Sequence, residues 1–96
     1  MSCTFILSPI TSFEAGGHRF TNHPVNLEHV TTFFPVDEPE EYEAADDSGK
    51  VSIYCIRFES TNSQFGMWRF LNKKERDLTF KALCLEYGAG LGTFDG

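Results

Sequence analysis

Residues Phe65 to Tyr87, FGMWRFLNKKERDLTFKALCLEY, decide the fold of this chain. The first seven are mostly apolar or aromatic and predict a strand. Asn72 follows, and its side chain can accept a backbone N–H from the first turn of a helix. Glu75, three residues later, can reach back to the N–H of the cap. The stretch therefore predicts a strand, a helix cap and a helix in direct succession.

The predicted helix has one apolar side. Residues spaced i, i+3, i+4 and i+7 lie on the same side of a helix and form the expected core face. These residues are Phe80, Leu83, Cys84 and Tyr87. A rotation of about 100° per residue places Leu78 and Leu85 nearly opposite that face, beside lysines. Gly88 is the expected end of the helix.

The tail, 88–96, contains four glycines and two large apolar residues. Glycine-rich ends are ordinarily flexible, but Leu91 and Phe94 do not suit a solvated end. We expect them either to fold back over Leu78 and Leu85 or to contact another chain. The predicted self-association surface therefore comprises Leu78, Leu85, Leu91 and Phe94.

The segment before the quoted stretch, Val51 to Glu59, is apolar on both of its alternating sets of residues. A strand of this kind lies in the middle of a sheet, or has its second face covered by the tail or by a partner. A polar connector of hairpin length, 60–64, predicts antiparallel pairing between this strand and 65–71.

Shorter signals upstream predict further strands. Residues 3–7, CTFIL, suit a first strand, and Gly16-Gly17 predicts a hairpin turn. Residues 25–30 predict a tight turn. Val30 to Val36 is β-branched and aromatic, and Pro35 near its end favours an edge strand.

These elements together predict an α+β fold. We expect a small, curved, mainly antiparallel sheet of four to six strands, with one C-terminal helix packed across it. Residues 1–87 form the single predicted domain, within which 37–50 is an exposed acidic loop, and 88–96 is a glycine-rich tail.

The acidic segment dominates the charge of the chain. Residues 37–47 contain seven acids and no base, and since the whole chain carries −6, the rest of it carries +1. We expect an exposed loop that either keeps the protein soluble or offers a phosphate-like surface to a basic groove on another protein. Tyr42 and Tyr54 are available aromatic anchors. The candidate partner-binding residues are Asp37, Glu38, Glu40, Glu41, Tyr42, Glu43, Asp46 and Asp47.

Composition limits the class of protein. At 96 residues, with 41% hydrophobic and 15% aromatic residues, the chain is expected to fold rather than to be disordered. It has neither an apolar run of about 18 residues nor the features of a signal peptide, so we expect a cytoplasmic protein without membrane contact. Three cysteines without a CxxC motif predict reduced, buried thiols. They are Cys3, Cys55 and Cys84.

The chain contains no recognisable catalytic or metal-binding motif. His18, His23 and His29 are spaced by five and six residues, which matches neither a helical zinc motif nor a zinc finger. A catalytic thiolate needs an exposed, electropositive setting, which buried cysteines lack. Gly16-Gly17 does not continue into a phosphate loop, and carboxylates on a flexible loop cannot hold a fixed separation. We therefore expect no enzymatic activity, no metal and no cofactor.

Direct binding of nucleic acid would have to use the bases near the predicted helix. We expect these bases to solvate the helix, and the acidic loop would repel phosphate, so no nucleic-acid partner is expected. Trp68 is expected in the core rather than as a stacking platform. The bases concerned are Arg69, Lys73, Lys74, Arg76 and Lys81.

Four short patterns between residues 25 and 87 resemble those of small proteins from phages and mobile elements. They are V-N-L-x-x-V-T at 25–31, I-x-F at 56–58, W-x-F at 68–70 and E-R-D at 75–77. Their layout is similar to that of pleckstrin-homology-like barrels, in which a curved sheet is closed by a C-terminal helix. Anti-CRISPR proteins and other phage inhibitors of host defence are similar in size and acidity, so the resemblance implies an inhibitor without a catalytic motif.

Three hypotheses of function follow from these observations. The first is a non-enzymatic interaction protein that binds a basic, nucleic-acid-binding partner through 37–47 and blocks it. The second is a self-associating, dimeric accessory domain. The third is a small ligand-binding barrel.

Overall fold

The computed structural model describes residues 5–60 and 65–88. In these ranges the helix α1, Lys73–Leu83, continues into a π turn at Cys84–Gly88, and a 3-10 turn at Leu27–His29 precedes the fifth strand. The α+β prediction is confirmed. The strands, in chain order, are β1 Phe5–Ile6, β2 Ser12–Ala15, β3 His18–Thr21, β4 Val25–Asn26, β5 Val30–Pro35, β6 Glu40–Glu43, β7 Lys50–Ser60 and β8 Phe65–Phe70.

The long strand β7 organises a four-stranded sheet. β5 and β8 pair antiparallel with its second half, and β6 pairs antiparallel with Lys50–Ile53 in its first half. The predicted pairing of the strands before and after 60–64 is therefore confirmed. β1 with β4 and β2 with β3 form two separate antiparallel ribbons, and the second has its turn at Gly16-Gly17, as predicted.

One face of β7 packs under the helix. Ile56 and Phe58 lie in a core with Trp68 and Phe70 of β8. The predicted core face of α1 is confirmed, since Leu83 is buried there and its three companions pack against the same cluster. The indole N–H of Trp68 donates to the carbonyl of His23 at 2.8 Å, which satisfies its one polar atom.

The opposite face of β7 has its own core. Ile53 and Cys55 are fully buried beneath Ala15 and Phe20 of the β2–β3 ribbon. The expected position of this strand in the middle of a sheet is confirmed, and its second face is covered by the β2–β3 hairpin, which the sequence did not predict. Of the other two cysteines, Cys84 is only half-buried, and Cys3 lies outside the described residues.

The expectation that all of 37–50 is an exposed loop is wrong, because residues 40–43 are a strand. Glu40 and Tyr42 are half-buried, whereas Glu41 and Glu43 are exposed, so the segment alternates with the period of two that a strand requires. The high charge concealed this pattern. A strand with one solvated face can carry carboxylates on that face while it pairs through its backbone.

Candidate functional site

The candidate site is β6 together with the segments that flank it. In the ladder with β7, Glu41 faces Ser52 and Glu43 faces Lys50. Side chains two residues apart on a strand lie about 7 Å apart on one side of the sheet, so β6 fixes the spacing of these two acids. The exposed carboxylates of the whole segment are called the acidic surface here, and they belong to Asp37, Glu38, Glu41, Glu43, Asp46 and Asp47.

The other two predicted surface residues, Glu40 and Tyr42, point to the opposite side of β6. Arg69 of β8 reaches across β7, and its Nε donates to Glu40 Oε1 at 2.8 Å. The hydroxyl of Tyr42 donates to the same oxygen at 2.8 Å. The hydrogen bond from Arg69 is the main reason that the pKa of Glu40 is below its usual value, and burial raises the pKa of Tyr42. These residues tie β6 to β8.

Cys55 lies beneath this ion pair and does not have the environment of a nucleophile. Its side chain is 1% exposed. Burial, with a smaller contribution from the charge of Glu40, raises the pKa of the thiol to about 11. The thiol is therefore protonated at neutral pH, when a nucleophile would have to be a thiolate.

The start of the acidic surface is anchored by the helix. Arg76 is 4% exposed, and its Nη1 donates to the carbonyl of Val36 at 3.0 Å and to that of Cys55 at 3.1 Å. Its Nε donates to Asp77 at 2.7 Å. Val36 immediately precedes Asp37, so this arginine holds the chain where it leaves β5 for the acidic segment.

The end of the acidic surface is anchored by the β2–β3 turn. The N–H of Ala45 donates to the carbonyl of Gly16 at 2.8 Å, and Nε2 of His18 lies 2.7 Å from the carbonyl oxygen of Glu43. Within the β6–β7 turn, Asp46 accepts the N–H of Ser48 at 3.0 Å. Hydrogen bonds from Ser48 lower the pKa of Asp46, so this carboxylate is ionised at neutral pH.

Two bases that were expected to solvate the helix make contacts within the fold instead. Arg69 is paired with Glu40, and Arg76 is buried. A signal for Arg76 was present, because it precedes Phe80 by four residues and Leu83 by seven and therefore belongs to the apolar stripe. The alternation of Glu40 and Tyr42 with two further acids was the corresponding signal for β6.

The predicted self-association residues are only partly within the described chain. Leu78 and Leu85 are 59% and 81% exposed. Leu78 lines an apolar groove of about 560 Å³ between β1 and α1. Leu91 and Phe94 lie outside the described residues.

The histidines do not form a metal site. In residues 5–60 and 65–88, no three His, Cys, Asp or Glu side chains are grouped so that they could hold a metal ion. His18 packs against the ring of Tyr42, with centroids 5.6 Å apart, and His23 and His29 are exposed. No helix within these ranges is long and apolar enough to cross a membrane.

Comparison with known proteins identifies no relative. No protein-family model matches the chain, and no curated protein or solved structure matches it either. Function is therefore inferred from the surfaces of this molecule.

Proposed function

We propose that this protein is a non-enzymatic interaction module that binds a basic surface of a partner protein through the acidic surface. The observation that carries the proposal is the state of its six carboxylates. All are exposed, and none takes part in the ion pairs that the structure shows between described residues. Their charge is therefore available to a partner.

The placement of these acids favours binding over mere solubility. A solubilising loop needs no fixed geometry, whereas Glu41 and Glu43 stand on a paired strand. The strand is tied to β8 by Glu40 and Arg69, and the chain on either side of it is hydrogen-bonded to α1 and to the β2–β3 turn. Carboxylates held in place lose less side-chain and backbone freedom on binding, which is the benefit of preorganisation.

The partner that fits is a protein with a basic groove that holds nucleic acid. Such a groove is built to receive a row of negative charges, and complementary charge accelerates encounter and fixes register. The acidic surface would occupy the groove and exclude phosphate, so the biochemical outcome is inhibition. An origin in a phage or mobile element stays a prediction from the sequence resemblance.

The experiment is affinity capture from a host lysate with the intact protein as bait. The expected result is a basic protein that is retained at low salt, released at high salt, and displaced by added single- or double-stranded DNA or by RNA. A captured protein that nucleic acid does not displace, or that survives the high-salt wash, would contradict the proposed mode of binding.

A further inference from the structure

The exposed side of α1 carries a second apolar stripe beside the groove. Leu78, Ala82 and Leu85 are spaced i, i+4 and i+7, so they lie on one side of the helix, and all three are exposed. Across the groove, Phe5 is 58% exposed and Leu7 is 68% exposed. The packing of α1 on the sheet uses a different stripe, which belongs to the core. Contiguous exposed apolar surface of this kind marks a contact with another molecule.

One row of residues on this side of α1 has opposite charges at its two ends. Residues four apart form a ridge along a helix, and this ridge consists of Lys74, Leu78, Ala82 and Glu86. Both charged residues are exposed, and neither takes part in the ion pairs that the structure shows between described residues. Lys74 and Glu86 lie six residues on either side of position 80. The ridge is therefore complementary to a copy of itself that runs in the opposite direction.

We propose that a second copy of this chain docks on the groove, with the two α1 helices antiparallel about a two-fold axis near position 80. Leu78 of each copy then enters the groove of the other, and Lys74 of each lies opposite Glu86 of the other. Such a contact is isologous, because the same surface serves on both copies. Parallel helices would place like charges side by side, so the charges select the antiparallel arrangement.

The area of this surface agrees with a dimer of modest size. A side chain of this kind and exposure presents on the order of 100 Å², so Phe5, Leu7, Leu78 and Leu85 together present roughly 400 Å². Homodimer interfaces are about 65% apolar, so this apolar area corresponds to roughly 600 Å² on each copy. Stable interfaces begin at about 600 Å² on each partner. We therefore expect a dimer that dissociates on dilution.

The first measurement is the mass of the intact protein by light scattering over a range of concentrations. We expect the wild type to change from monomer to dimer as its concentration rises. Leu78→Ser should raise the dissociation constant of the dimer about tenfold or more, because it removes the side chain that enters the groove. Leu71→Ser is the matched control, since Leu71 is 47% exposed but lies outside the groove and the helix. It should dimerise as the wild type does.

The second measurement tests the antiparallel arrangement by exchange of charges. Lys74→Glu and Glu86→Lys each place like charges opposite one another, and each alone should raise the dissociation constant about threefold or more. An equimolar mixture of the two variants should restore the wild-type value in the mixed dimer, because both contacts then join opposite charges. Lys73→Glu is the control for net charge, since it makes the same change as Lys74→Glu at an exposed position outside the ridge.

Three results would overturn the proposal. A wild type that is monomeric at every concentration would leave the groove to a different protein. Equal dissociation constants for Leu78→Ser and Leu71→Ser would show that the groove is not the contact. A mixture of the two charge variants that binds no more tightly than either variant alone would exclude the antiparallel pairing. None of these results bears on the acidic surface, whose carboxylates lie outside the ridge, so the proposed function is tested separately.

Discussion

At the scale of single residues, the charged side chains that lie below the surface hold the site in place. Arg76 donates to two backbone carbonyls, one at the end of β5 and one in the middle of β7. Glu40 and Arg69 join β6 to β8 across the same strand. Each is a specific link between elements, and none of these side chains is among the six exposed carboxylates of the acidic surface.

Replacement of Arg76 by Met keeps much of the apolar length of the side chain and removes its donors. The carbonyl of Val36 then lacks this hydrogen bond within the protein. We expect the free energy of unfolding to fall by about 2–3 kcal/mol, measured by chemical denaturation. Lys81→Met, on the exposed part of the same helix, is the control and should change stability by no more than about 0.5 kcal/mol. Equal effects of the two substitutions would contradict the role assigned to Arg76.

The ionisation of Glu40 should make the free energy of unfolding depend on pH in a known direction. Its pKa is lowered in the folded protein from 4.5, so it stabilises the fold above that value and loses the contribution as pH falls through the folded pKa. Glu40→Gln should therefore be less stable than wild type near neutral pH, by up to about 1 kcal/mol because the pair is partly exposed.

The difference between the two proteins should close as pH falls below 4.5. The measurement is urea denaturation of both proteins over a pH series, with Glu28→Gln, an exposed acid in the 3-10 turn, as the control. A difference that persists unchanged at about pH 3 would show that the Gln substitution acts through packing and not through the charge of Glu40.

At the scale of elements, the sequence predicted the helix and the strands that are specified by residues close together in the chain. Asn72 caps α1 by accepting the N–H of Glu75 at 2.8 Å, as its position before the helix indicated. The two apolar sets of residues in β7 predicted that this strand lies in the middle of a sheet, or that the tail or a partner covers its second face. They could not show that the cover on one side is the β2–β3 ribbon, because that contact joins parts of the chain separated by more than thirty residues.

The contact between the two hairpin turns depends on Gly16. It has φ +59, and a Cβ at this position would clash with Cγ2 of Val51. Gly66, in β8, does not have a positive φ, and the atom nearest to the place that its Cβ would take is Cγ2 of Val25 at 3.8 Å. An alanine at the first position is strained and clashes, whereas an alanine at the second meets only an ordinary contact.

Gly16→Ala is therefore expected to lower the melting temperature more than Gly66→Ala. The difference should exceed about 1 kcal/mol, or roughly 5 °C for a domain of this size. Thermal unfolding followed by circular dichroism measures it. If the two variants have the same melting temperature, the close approach of the turns makes no contribution to stability.

At the scale of the whole molecule, the two faces of the central sheet are covered by different elements. One carries the helix, the other carries a ribbon, and the acidic surface lies on β6 and in the turns around it. The sequence predicted the acidic residues as a set. The alternation groups Glu40 with Tyr42, but only the register of β6 against β7 shows which of the two alternating sets faces inward.

Binding of a basic partner by the acidic surface is tested most directly with two matched double variants of this protein. The measurement is the dissociation constant of each variant for the captured partner. Glu41→Gln/Glu43→Gln removes two charges from β6. Glu14→Gln/Glu28→Gln removes two exposed charges from outside the acidic segment and leaves the same net charge.

We predict that the first variant weakens binding at least tenfold at low salt, since desolvated charge pairs in an interface each contribute on the order of 1–2 kcal/mol. The loss should shrink as salt is added. The second variant should bind as the wild type does. Equal dissociation constants for the two variants would contradict the claim and show that net charge alone, or another surface, accounts for binding.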